Sequence, residues 1–295
     1  MNISQNLLDG NLFIKLQQAA DFESAGKKLH ALQIYLKLFL QFPHQSNLAI
    51  RIASLYNTLN NTNASLKFLE EFIENNPTHY EVQIYYSETL IENSEFEKAI
   101  SVLSKVGGSF SPIAKYFTGV AYFYLQEYEI AKINFETVIR NQKDDDFLFS
   151  DALLFLAKAN IKMGLFDNAL ENIKQLENTP ENDTELKLVL AQIYYEKSMF
   201  FHAYDVIKDE PDIISDSEIN YWKGKILYRM GEFKKAKNYL TRALQFGKAE
   251  LEIFSMLGNC CLNLNLLPEA KTYFNLALKI NPEEKTAQDG LLKCE

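Results

Sequence analysis

Pairs of small residues, each pair twelve positions apart, recur through almost the whole of this 295-residue chain. The pairs are Ala19 and Ala31, Ala53 and Ser65, Ser87 and Ala99, Gly119 and Ala131, Ala157 and Ala169, Ala191 and Ala203, Gly224 and Ala236, and Gly258 and Ala270. From Ala31 to Ala270 the second members are spaced by 34, 34, 32, 38, 34, 33 and 34 residues. A repeat of this length means that one supersecondary unit is stacked many times. A small–small pair at fixed separation is what two closely packed helices need, because larger side chains would force their axes apart.

The last copy shows why the units are helical. Ala270, Tyr273, Phe274, Ala277 and Leu278 follow the i, i+3, i+4, i+7, i+8 spacing of a helix that buries one face. Pro268 stands near its start, where a missing N–H costs nothing, and Pro282 stands just beyond its end. Phe254, Leu257, Gly258 and Cys261 mark one face of the helix before it. Extended to the other copies, the pattern predicts first helices near 12–25, 46–60, 80–94, 112–126, 150–164, 184–198, 217–230 and 251–265. Second helices are predicted near 28–41, 62–75, 96–106, 129–141, 167–178, 201–208, 234–246 and 268–280, and a capping helix near 284–292. The 38-residue step comes from a polar insertion around 141–146. That loop and the segment Asp209–Ser217 are the expected hinges.

The period near 34, the order leucine, glycine, then A-x3-F, then proline, resembles the tetratricopeptide repeat (TPR) family. The eighth copy carries Leu257-Gly258, Ala270, Phe274, Ala277 and Pro282, and the fourth carries Gly119, Tyr122, Ala131 and Phe135. Pro43, Pro77 and Pro282 match the repeat-ending proline. The family's first aromatic is mostly missing, Lys223 replaces a leucine in the seventh copy, and Pro211 cuts the sixth short. The resemblance implies an all-α, right-handed superhelical solenoid of about eight helix-turn-helix repeats plus the C-terminal cap, forming one domain over residues 1–295. The repeats run about 12–45, 46–79, 80–111, 112–149, 150–183, 184–216, 217–250 and 251–283.

Chemistry-bearing patterns are absent. His30, His44, His79 and His202 are scattered without a second ligand at metal spacing, so no metal or cofactor is expected. No H-E-x-x-H, G-x-S-x-G, Walker or dinucleotide-binding glycine motif occurs, and the chain is not expected to be an enzyme. Gly107-Gly108 reads as a structural turn, Asp144–Asp146 as a solvated loop and Cys260-Cys261 as small buried hydrophobes. The net charge of −9 argues against a nucleic-acid partner. Three cysteines, two of them adjacent, do not make a disulfide framework and fit a reducing compartment. With no signal-like start and no membrane-length apolar run, the chain is expected to be cytoplasmic and not inserted in a membrane.

By the same resemblance, positions two, five, nine and twelve of each repeat face the concave groove, and position thirteen lies at its lip. The partner-binding candidates are Tyr116, Val120, Phe123 and Tyr124 in repeat four; Lys158 and Lys162 in repeat five; Gln192 and Tyr195 in repeat six; and Tyr221, Lys225, Tyr228 and Arg229 in repeat seven. Aromatic and cationic side chains of this kind anchor protein interfaces and steer partners of opposite charge. The tyrosines could equally fill space between repeats and the lysines be ordinary surface. Trp222, one position off the groove register, is expected to pack between repeats. The expected function is a scaffold or adaptor that binds a partner peptide or helix, one with acidic residues or a free carboxylate. The alternative is a chaperone-like assembly factor for a secreted or complex-forming subunit, and self-association is compatible with both. The lysine and asparagine clamp of heat-shock co-chaperones is not recognisable, since Ser255 stands where its lysine would be.

Overall fold

In the computed structural model the twelve-residue offset becomes a helix hairpin. Residues 2–141, 147–176, 184–210, 217–245 and 251–294 are described, and among them are 17 α-helices and no strand. The first four hairpins are α1 (Asn2–Ser24) with α2 (Lys28–Phe39), α3 (Ser46–Thr58) with α4 (Thr62–Asn75), α5 (Tyr80–Glu92) with α6 (Phe96–Leu103), and α7 (Ser111–Tyr124) with α8 (Tyr128–Asn141). The next four are α9 (Phe147–Lys162) with α10 (Phe166–Lys174), α11 (Thr184–Glu196) with α12 (Phe200–Ile207), α13 (Ser217–Arg229) with α14 (Phe233–Gln245), and α15 (Leu251–Asn263) with α16 (Leu267–Ile280). The capping helix is α17 (Lys285–Leu292). The chain divides into two compact units, Met1–Phe155 and Leu156–Glu295, each with its own core.

Every hairpin turns in the same way. Gly26, Asn60, Ser94, Gln126, Gly164, Ser198, Gly231 and Asn265 all have φ between 57° and 79°. Each stands five positions before the second small residue of its pair. The left-handed residue lets two bonds close the first helix. In the first hairpin Gly26 N–H donates to Glu23 O at 2.9 Å and Lys27 N–H to Phe22 O at 2.8 Å, and the same pair of bonds recurs at all eight turns. The offset of twelve is therefore a property of one rigid turn. Variation in the period falls in the connections between hairpins.

The small pairs sit at the helix crossings, and all sixteen members are buried. In the second hairpin they touch directly, with the Ser65 hydroxyl donating to Ala53 O at 3.1 Å. The glycines have a further role that the pairing rule does not express. A methyl group at Gly119 would stand 2.7 Å from Cε1 of Phe135, and one at Gly224 would stand 2.7 Å from Cγ of Leu240. Each glycine thus makes room for the large side chain four residues beyond its small partner. Phe274 is held most tightly, since methyl groups at Gly258 on α15 and at Gly290 on α17 would each come within 2.6 Å of its ring. The expected cap is thereby locked onto the last repeat, and Glu284 at its N-terminus accepts the Ala287 N–H.

The departures from the repeat pattern have a shared structural answer. Helix α12 stops at Ile207, and Lys223, which takes the place of a leucine, is only 1% exposed. Its Nζ donates to the backbone carbonyl of Glu210 at 2.8 Å, just past the end of α12, where a cation suits the helix C-terminus. The Glu210 carboxylate in turn accepts from Thr184 at 2.7 Å and pairs with Lys187 at 2.6 Å. Residues 142–146, and Pro211 with 212–216, lie outside the described residues, and with them most of the two expected hinges. Gly107 and Gly108 lie in the connection after α6, where Gly108 opens a short 3-10 helix, Gly108–Phe110, in place of the expected turn.

Candidate functional site

The candidate side chains fall into two sets, one in each unit. In the N-terminal unit, α7 carries Tyr116, Val120, Phe123 and Tyr124. Tyr116 is half-buried, with its ring 6.1 Å from Phe135 and 5.9 Å from Phe155, so it packs between successive repeats. Phe123 does the same, 5.5 Å from Tyr128 and 5.8 Å from Phe155. Val120 is buried. Tyr124 is 52% exposed and stacks on Phe96, with centroids 5.6 Å apart and planes at 10°. Tyr116, Val120 and Tyr124, but not Phe123, line a cleft of about 370 Å³ between α5 and α7 together with Phe96, Glu88, Ile91, Glu92, Ser94 and Phe117.

In the C-terminal unit, α11 and α13 build a cation–aromatic cluster. The Lys225 ammonium lies 5.2 Å from the Tyr195 ring, 5.3 Å from Tyr221 and 5.1 Å from Trp222. It also pairs with Glu252 at 2.9 Å and donates to the Tyr221 hydroxyl at 3.1 Å. Tyr221 is buried, and its hydroxyl donates to Glu252 at 2.6 Å. Trp222 is buried too, edge-on to Tyr195 and Tyr221, with its indole N–H donating to Glu218 at 3.2 Å. Tyr228 is half-buried against Phe233 at 6.0 Å, and burial, then the neighbouring Cys260, raise its hydroxyl pKa. Arg229 is exposed, and its guanidinium carbon lies 4.6 Å above Phe200 and 5.7 Å from Tyr195. Gln192 is half-buried and Lys162 is exposed.

The positive field expected from the lysines is partly cancelled within the protein. Lys158 pairs with Glu185 as Lys225 pairs with Glu252. The two pairs are equivalent, each joining position nine of one repeat to position two of the next. A lysine at this register reaches the following first helix, so its charge is spent between repeats. Of the basic candidates, Arg229 is the one presented outward on a rigid aromatic support.

The same register contains residues that sequence reasoning passed over. Positions nine, twelve and thirteen of repeat three are Glu88, Ile91 and Glu92. Positions two, five and nine of repeat one are Phe13, Leu16 and Ala20, which with Tyr35, Leu48 and Arg51 line a cleft of about 480 Å³. Counting the frame in every copy, not only repeats four to seven, would have found them. Cys260 and Cys261 are not chemically poised. Burial, with Cys261 adjacent, pushes the Cys260 thiol up to about 12, and burial raises Cys261 as well.

Three stretches of the sequence, residues 47–79, 217–246 and 251–284, match the model of the tetratricopeptide repeat. The chain carries tetratricopeptide repeats. Its fold is similar to that of the APC/C hetero-tetramer Cut9–Hcn1 crystal structure, at a TM-score of 0.70 and 14% identity, over 90% of this chain and 52% of that one. This TPR protein therefore spans about half the length of that neighbour. A tetratricopeptide-repeat protein from Parabacteroides merdae is also similar, at a TM-score of 0.61 and 11% identity, over 84% of this chain and 98% of that one. No curated protein matches the sequence. TPR proteins bind other proteins or peptides and are in general non-catalytic scaffolds. Among the described residues, no helix is long and apolar enough to cross a membrane.

Proposed function

We propose that this TPR protein is a scaffold or adaptor that holds an extended or helical segment of a partner protein against the first helices of its repeats. The observation that carries the reading is Arg229, exposed and stacked on Phe200 and Tyr195 beside the Lys225 cluster. A guanidinium whose plane is supported by rings loses little freedom on binding, and its fork of N–H donors suits a carboxylate. The partner in this reading supplies an acidic residue or its C-terminal carboxylate to Arg229, with an apolar anchor alongside. The single eight-repeat domain, the cytoplasmic location and the absence of a nucleic-acid partner belong to the same proposal. The test is affinity capture from the native cell with wild type and Arg229→Glu. Reversal should cut recovery of the specific partner several-fold while the melting curve is unchanged. Equal recovery of the same partners would place the binding surface elsewhere on the protein.

A chaperone-like assembly role is the second reading, and the repeat-one cleft favours it. Phe13 is 68% exposed there beside Leu12, Leu16 and Leu48, a more aliphatic lining than α13 offers. Suppression of aggregation of an unfolded model substrate, lost in Phe13→Ser, would support this reading. Inactivity of the wild type in that assay would sink it.

A further inference from the structure

The cleft between α5 and α7 differs from the α13 face in sign. The C-terminal unit neutralises two of its groove lysines internally, Lys158 against Glu185 and Lys225 against Glu252. In the α5–α7 cleft the charges are carboxylates, Glu88 and Glu92, one helical turn apart on α5. Among the described residues no lysine, arginine or histidine pairs with either. Burial, followed by the charge of Glu92, raises the Glu88 pKa, with no cation acting against them. Facing these acids are flat rings. Tyr124 and Phe96 stack with nearly parallel planes, and Tyr116 and Phe117 meet edge to face at 5.2 Å. Ile91 and Val120 floor the space between. An apolar stem fits that floor, and a positive head is attracted both by the ring faces and by the acids.

We propose that this cleft is a specificity pocket for a basic side chain, an arginine or lysine, of a bound partner peptide. The proposal rests on the reading that first-helix faces take partner segments, and it adds a requirement on the partner's sequence. A partner selected on this face carries a basic residue for Glu88 and Glu92.

Peptide selection on the full chain tests this without knowledge of the partner. A displayed library of short random peptides is selected on wild type, and the best binders are measured by fluorescence anisotropy. They are compared on wild type and on Glu88→Gln/Glu92→Gln, and each is remade with norleucine in place of its basic residue. The recovered peptides should be enriched in arginine or lysine next to apolar residues. Loss of the two carboxylates should weaken them by about tenfold or more, as expected for a charge-assisted contact. The norleucine peptides should lose as much on wild type and nothing further on the variant. The variant's melting temperature should equal or exceed that of wild type, because an unpaired half-buried carboxylate is removed. Peptides that bind with no basic residue, or that ignore the variant, would overturn the pocket while leaving the first-helix reading intact. Failure to recover any binder would overturn both. A fall in melting temperature would make the carboxylates structural and reject the pocket. If wild type but not the variant self-associates in sedimentation, the occupant is a second copy of this chain and the partner-peptide proposal is wrong.

Discussion

Replacing Gly290 with alanine asks whether the cap is held by one aromatic ring. At an ordinary helix-interior position this change stabilises by roughly 0.5–1 kcal/mol, since glycine loses more backbone freedom on folding. At Gly290 the added methyl would stand 2.5 Å from Cε2 and 2.6 Å from Cε1 of Phe274. The ring cannot retreat, because Gly258 closes its other side and the residue is fully buried. Overpacking a tight site costs about 1–3 kcal/mol, so the net effect should be a loss of roughly 0.5–2 kcal/mol. Phe274→Leu alone should cost about 1–2 kcal/mol through lost burial and a partial cavity. In that background the space reopens, and Gly290→Ala should become neutral or mildly stabilising. The coupling between the two sites should then be about 1–3 kcal/mol, with the double variant more stable than additivity allows. Urea unfolding followed by far-UV circular dichroism measures the cycle, and hydrogen exchange of the α17 amides shows whether the cap detaches first. A stabilising Gly290→Ala in the wild-type background, or the same cost in both backgrounds, would refute the clamp.

The turn residues make an opposite prediction. Gln126 is a non-glycine residue at φ 65°, and Gln126→Gly should stabilise by about 0.5–1 kcal/mol in the same unfolding assay. Gly224→Leu and Ala236→Leu should each destabilise by roughly 1–3 kcal/mol, because both sites are buried at the α13–α14 crossing. Charge reversal at Lys225 should harm the fold as well as binding. It sets a new carboxylate against Glu252 inside three rings, and about 1–2 kcal/mol, between exposed and buried ion-pair values, should be lost in the melting curve. The hydrogen bonds from Lys187 and Thr184 hold the Glu210 carboxyl below its usual range. Its folded pKa is below its unfolded one, so its stabilisation is complete above the unfolded value and is lost as pH falls through the folded value. Wild type should therefore lose more stability than Glu210→Gln between neutral pH and the acid range, as read from melting temperature against pH.

The architecture was legible in the sequence because a repeat measures the same local physics eight times. The small residue at a helix crossing, the apolar stripe and the terminal proline are each weak signals, but in register they place helix boundaries to within a few residues. Only α1 departs clearly, running back to Asn2 where the pattern began near residue 12. The eight left-handed turn residues were also present in the sequence. Five of them, Gly26, Asn60, Gly164, Gly231 and Asn265, are types that favour that conformation, whereas Ser94, Gln126 and Ser198 hide it.

The candidate site was legible only as a register. Position in the frame says which helix face a side chain occupies, and Tyr195, Lys225 and Arg229 do come together as that frame implies. It does not say whether the side chain is already spent on a neighbour. Tyr116 and Phe123 are occupied by rings of adjacent helices, Tyr221 and Lys225 by Glu252, and Lys158 by Glu185, while Arg229 stays exposed. Glu88 and Glu92 were passed over in the sequence, and it is α7 that brings Tyr124 and Phe117 into one cleft with them. The sequence by itself determined the hairpin, because a hairpin is local: twelve residues, one turn, two small side chains. Tertiary structure decided which charges remain unpaired, because an ion pair between repeats depends on the reach of a side chain across some 27 residues of chain, and no local pattern encodes that distance.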